Sequence, residues 1–302
     1  MRNKRMWILI GYGLFAWVMF GLFLYFTFPI HVLTQRAMYE VMKHSHGSVR
    51  VSFKDASMYR FTGVKLSDVT LHQDRPGQEP LDLEVDSIAA RLQVLPLLRL
   101  KMAASLALEL GRGVVHGEFL RVGPHAWQAG LEVEKVSLLS PPILSQWAGF
   151  PVRGTVTGTI DLDMPDALNK AKGQASLILS EAGIGPGSVS GFTVPSIALG
   201  NLDMNVELRE GTMRIMSFKQ EGGDLNTRLQ GLSRLQEPLS ASVLDACLQL
   251  RAEEALLTRN PTIKAALELA ALRLQKDEDG FLHIPFFGTL ASPHLRQGMC
   301  RR

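Results

Sequence analysis

The stretch PVRGTVTGTIDLDMP, residues 151–165, alternates without a break for thirteen residues. Val152, Gly154, Val156, Gly158, Ile160, Leu162 and Met164 take the even positions, and Arg153, Thr155, Thr157, Thr159, Asp161 and Asp163 the odd ones. Successive side chains of an extended strand point to opposite faces, so this is one strand with an apolar side and a wet side. At ~3.3 Å per residue it reaches about 43 Å, longer than most strands. A ribbon of this length needs partners on both edges and something apolar against one face.

The period of two continues through the chain after Ser48. VRVSF, GVKLSDVTLH, LDLEVDSI, SLALEL, LEVEKVSLL, QASLILSEA, NLDMNVEL, TMRIMSF, LNTRLQGL, ACLQLR and FLHIPFFGTL all read as strands, separated by turn formers such as RPGQEP, GIGPGS and QEGGD. Several strands start just after a glycine, as in GRGVVHGEF and REGTMRIMSF. Glycine at such places marks bends and bulges. Parallel strands need a crossover helix between them, and the connections here are too short, so the sheet is expected to be mainly antiparallel. Two short helices are expected. One is SPPILSQWAG, with Ser140 as cap and Pro141 at the first helical position; the other is NPTIKAALELAAL, with Asn260 and Pro261 in the same parts. LQVLPLLRLKMA (92–103) has no clear period.

The N-terminus obeys a different rule. Residues 6–28, MWILIGYGLFAWVMFGLFLYFTF, contain no charge. As a helix they span about 34 Å, enough for a hydrocarbon core of about 30 Å. No small-residue cleavage site follows, which marks an uncleaved anchor. Arg2, Lys4 and Arg5 precede it, and the positive-inside rule places residues 1–5 in the cytoplasm and the rest of the chain across the membrane. Residues 29–46 carry Ile30, Leu33, Ala37 and Val41 at helical spacing and read as an amphipathic linker. Residues 48–302 form the β-rich domain. The formal charge of +3 equals the three basic residues of the tail, so the body is neutral. That argues against nucleic acid, which is bound by a clustered positive field.

No reactive constellation stands out. Gly183, Gly185 and Gly187 superficially match a dinucleotide loop, but VSGFTVPSIALG follows where a helix is required. His44 and His46 end a helix and lack further ligands nearby, and His116, His125, His283 and His294 are scattered singly. Asp161 and Asp163 share a Thr-rich face and read as solvating charges, and KDEDG (276–280) reads as a turn. No metal, no cofactor and no enzymatic activity are therefore expected. Cys247 and Cys300 are too few for a disulfide scaffold; they pair with each other or stay unpaired.

The order of features resembles the type II secretion system protein N (GspN) family in its longer form, which is itself similar to AsmA-like proteins. The pieces that carry it are DSIAARLQVLPLLRLKMAASLALELGRGVVHGEF, WAGFPVRGTVTGTIDLDMP, VPSIALGNLDMNVELREGTMRI and DGFLHIPFFGTLASP. The resemblance implies a curved, groove-forming sheet in a periplasmic body held on the inner membrane, working beside other type II secretion components. Its AsmA-like side implies lipid handling.

Two functions then compete. One is a non-catalytic accessory of secretion, whose exposed sheet edges pair with partner strands. The other is a lipid-binding or lipid-transfer module. In it Val152, Val156, Ile160, Leu162 and Met164 line a trough, and Gly154 and Gly158 leave room for an acyl chain. A closed sandwich is the third outcome, with the same face buried as ordinary core.

Overall fold

The computed structural model describes residues 49–60, 62–73, 81–97, 101–139, 151–189, 192–237, 239–271, 274–290, 292–296 and 300, with isolated helical positions between 11 and 43. The expected anchor (6–28), the linker (29–46), the 140–149 helix and His44 and His46 lie outside the described residues apart from those positions. Tyr12, Phe15, Met19 and Phe23 are among them, and each is at least half exposed. Among the described residues no helix is long and apolar enough to cross a membrane.

Fifteen described strands form one sheet in which every pairing is antiparallel. It starts with β1 (Val49–Ser52) and β2 (Asp55–Tyr59), which both pair with β3 (Gly63–Gln73). Then follow β4 (Leu81–Leu92), the single-turn α1 (Val94–Leu97), β5 (Met102–Leu110), β6 (Gly113–Arg121), β7 (Trp127–Ser137), β8 (Val152–Met164) and β9 (Lys172–Ile184). A separate small hairpin, β10 (Gly187–Val189) with β11 (Phe192–Val194), interrupts the series. It resumes with β12 (Ile197–Arg209), β13 (Thr212–Glu221), β14 (Leu225–Arg234) and β15 (Val243–Ala252). After α2 (Glu254–Arg259) and α3 (Pro261–Ala271) it closes with β16 (Leu282–Thr289) and β17 (Ser292–Leu295). From β3 onward strand order in the sheet follows chain order, the β10–β11 hairpin standing aside, and most strands return beside their predecessor through a short turn; the β15–β16 connection carries α2 and α3.

The layer is thin. The largest side chains below 2% exposure are Leu256 and Val69, followed by two serines, Ser233 and Ser242. Apolar burial is thus spread along the sheet and not gathered at one centre. At the C-terminal end α2 and α3 add cover: Leu257 and Leu267 line one cavity with Leu250 of β15 and Leu282 of β16.

Four adjacent strands carry an irregularity at one level. Lys135 of β7, Gly154 of β8, Glu181 of β9 and Gly200 of β12 all have positive φ, and the β7–β8, β8–β9 and β9–β12 ladders all shift register there. All four sit within two residues of the cross-strand row Val136–Val156–Leu179–Leu202. Side chains satisfy two of the freed amides: Lys135 N–H donates to Thr157 Oγ1 at 3.3 Å and Glu181 N–H to Asn201 Oδ1 at 3.0 Å. Bulges bend strands and increase their local twist.

The two outer edges are blunted. β17 is four residues long, contains Pro293 and is exposed throughout, and the opposite edge is broken between β1 and β2. Short, interrupted or proline-bearing edges are poor templates for an added strand.

On β4, Ser87 is 4% exposed and donates from Oγ to Glu109 Oε2 of β5 at 2.5 Å, with Lys65 Nζ 3.5 Å from the same oxygen. The Ser87 hydrogen bond holds the Glu109 carboxyl below its ordinary 4.5, outweighing partial burial, and the Lys65 charge adds to it. A depressed carboxyl contributes stability above its unfolded pKa and loses it as pH falls through the folded value. Ser87→Ala is therefore expected to cost about 1 kcal/mol near neutral pH. The difference from the parent chain should shrink steadily below pH 4.5, as followed by urea unfolding at several pH values. A difference constant down to pH 2.5 would refute this account.

Candidate functional site

Directly opposed residues of an antiparallel pair project to the same face, so the register shows how far the apolar side of β8 extends. One row runs Leu66–Ile88–Leu108–Val115–Val133–Gly158–Leu177–Met204–Phe218 across nine strands. The next runs Val64–Ala90–Leu106–Gly117–Leu131–Ile160–Ala175–Val206–Ile215. A third contains Leu92, Ala104, Phe119, Ala129, Leu162, Gly173, Leu208 and Met213. No charged residue occurs in any of the three.

Val156, Gly158, Ile160, Leu162 and Met164 all belong to this face and are all half-buried. Val152 lies beyond the bulges, in a short row with Ile184 and Ile197. Gly154 has φ +135°, a conformation that side chains with a Cβ rarely adopt, and Leu179 Cδ1 lies 3.0 Å from where its Cβ would be. At Gly158 a Cβ would lie 2.1 Å from Ser176 O and 2.9 Å from both Leu177 Cα and Leu177 Cδ2. Strand β9 itself occupies the space beside both glycines. An apolar ligand would lie over this part of the face and not sink into it.

The face opens where the third row reaches β4 to β7. Leu92, Met102, Phe119 and Trp127 are 47%, 51%, 36% and 37% exposed and line one cavity of about 430 Å³. Met164 and Leu162 continue it, as ladder partners of Trp127 and Ala129. Arg121 and His125 are the ionisable groups lining it. Arg121 donates from Nε to Gly123 O at 3.1 Å and from Nη2 to Pro124 O at 2.6 Å, so it fixes the β6–β7 turn. The sequence reading missed this cavity, because its walls come from separate strands that only the register unites.

The other face is polar. Asp161 and Asp163 are exposed on it, and Gln174 Nε2 donates to Asp161 Oδ2 at 3.4 Å. A cavity of about 550 Å³ there is lined by Arg60, Arg91, His116, Glu118, Glu132 and Asp161 among others. Cations and anions are mixed in it. Gly183, Gly185 and Gly187 lead into the β10–β11 hairpin, so no helix N-terminus faces them.

A second cluster sits at the C-terminal end. Cys247 and Cys300 are joined as a disulfide, their Cα atoms 5.8 Å apart, which settles the pairing the sequence left open. His283 lies beside them, with Nε2 3.1 Å from Asp277 Oδ2. Comparison of the chain with family models, curated proteins and solved structures finds no match.

Proposed function

We propose that this chain is a membrane-anchored, periplasmic accessory of a type II secretion system, similar to the protein N family, that acts by surface contact and carries out no reaction. The observation that supports this reading best is the set of three uncharged rows running in register across eight or nine strands, which a thin sheet leaves largely half-exposed. A face of this extent in contact with water alone is an aggregation liability, so it implies an apolar partner. With both edges blunted, the face and not the edges is where that partner binds. The exposed Tyr12, Phe15, Met19 and Phe23 fit an anchor that meets lipid. The test is affinity capture of the tagged full-length chain from detergent-solubilised membranes. Enrichment of other secretion components over an unrelated single-span periplasmic protein is expected, and no enrichment would count decisively against the reading.

One observation favours the second reading, an AsmA-like lipid-binding or lipid-transfer module with a curved, groove-forming sheet. The cavity of Leu92, Met102, Phe119 and Trp127 has apolar walls with one fixed guanidinium beside them, which suits an acyl chain with an anionic head. Native mass spectrometry of the purified chain is expected to show co-purifying lipid. A lipid-free spectrum together with secretion-component capture would leave only the first reading.

A further inference from the structure

The apolar face makes no use of the chemistry at the far end of the sheet. Cys247 of β15 has Pro285 as its ladder partner, two residues from His283 on β16, and the C-terminal segment brings Cys300 to the same place. The sulfur atoms of both cysteines and a ring nitrogen of His283 lie within 4.8 Å of one another. Cys247 and His283 are each 6% exposed. The imidazole is held from both sides. Its Nε2 faces Asp277 Oδ2, and the Cys300 amide donates to Nδ1 at 3.3 Å. Asp277 is itself fixed by the Phe281 amide, which donates to Oδ1 at 2.7 Å. A carboxylate only accepts, so Nε2 carries the proton and Nδ1 turns its lone pair to the Cys300 amide. A carboxylate on the far nitrogen is the device by which proteins orient a metal-binding imidazole.

We propose that reduction of the Cys247–Cys300 disulfide converts this corner into a binding site for a borderline-soft divalent cation of the Zn²⁺ type, ligated by the two thiolates and His283 Nδ1, with Asp277 positioning the ring. An external dithiol supplies two electrons and two protons: the S–S bond breaks, two thiols form, and the dithiol leaves as its own disulfide. Cation binding then releases both thiol protons, forms two metal–sulfur bonds and one metal–nitrogen bond, and displaces the Cys300 amide from Nδ1. Two sulfurs and one imidazole suit tetrahedral Zn²⁺, with water as the fourth ligand. In the oxidised chain the sulfurs are bonded to each other and the site does not exist, so metal binding reports the redox state of this pair.

The full-length chain is reduced with a dithiol, freed of reductant under anaerobic conditions and titrated with Zn²⁺ or Co²⁺ alone. About one equivalent should bind, and Co²⁺ should develop thiolate-to-metal charge-transfer absorption. The oxidised chain should show neither. Asp277→Asn should weaken binding about 10-fold or more while keeping the absorption, because the ligands remain. Cys300→Ser should abolish the absorption; it lies outside every strand and is the ligand variant least able to disturb the sheet. A reduced chain that takes up no Co²⁺ overturns the proposal, as does equal uptake by the oxidised chain or by Cys300→Ser.

Discussion

Gly158→Val is expected to destabilise the chain by about 3 kcal/mol, while Gly130→Ala, one strand away, should change stability by less than about 1 kcal/mol. Both glycines lie in long strands with a ladder partner, and sequence alone does not distinguish them. Their surroundings do. A Cβ at Gly158 would fall 2.1 Å from a backbone oxygen of β9, which cannot rotate away, and the branched valine adds two methyl groups against Leu177. A Cβ at Gly130 meets only Asp161 Oδ1 at 3.5 Å, an ordinary contact with a movable side chain. The first substitution forces β8 and β9 apart at the centre of the sheet, where each strand has neighbours on both sides. The second reduces the freedom of the unfolded chain and adds no clash. Urea unfolding of the full-length chain in mild detergent measures both. Equal midpoints for the two variants would show that the close approach of β8 and β9 is wrong.

Gly158 also marks where the sequence stopped being informative. Alternation alone gave the bounds of β8, because an unbroken period of two over that length has no competing reading. Asn260 and Pro261 likewise gave the start of α3, through cap chemistry that acts within a few residues. What one strand does to its neighbour is not local. Gly158 read as a bare spot open to a ligand, yet β9 fills it, and nothing in residues 151–165 contains that information. The three apolar rows have the same origin: Phe119, Ala129 and Leu162 share one only through ladders that pair residues far apart in the chain. Short elements escaped for another reason. β2, β17 and α1 are too brief to establish a period, and α2 is too short to show a stripe of its own before α3. The Cys247–His283–Cys300 cluster was invisible because its members are 17 or more residues apart and each, taken singly, looks unremarkable. Only the β15–β16 ladder and the returning C-terminus bring them together.

The open end of the apolar face leads to the largest expected effect on binding. On the lipid-binding reading, replacing Phe119 and Trp127 together by glutamine should weaken binding of a twelve-carbon fatty acid about 50-fold. The two rings form adjoining parts of the cavity wall, and losing them forfeits contact equal to burying about three methylenes, roughly 2.4 kcal/mol at about 0.8 each. Stability should change far less than at Gly158, because both side chains are already more than a third exposed and leave no closed void when shortened. Arg121 stays in place in this variant, since its guanidinium is held by the carbonyls of Gly123 and Pro124 and not by the rings. A preference for the fatty acid over the corresponding alcohol should therefore survive while overall affinity falls, which separates the apolar contribution from the ionic one. Thr159→Gln serves as the control, because it projects from the same strand as Ile160 to the opposite face and should leave binding unchanged. A fluorescent fatty acid titrated into the full-length chain reads all three. Affinities within twofold of the parent for the double variant would mean that this cavity holds no acyl chain and that the apolar face serves protein contact alone.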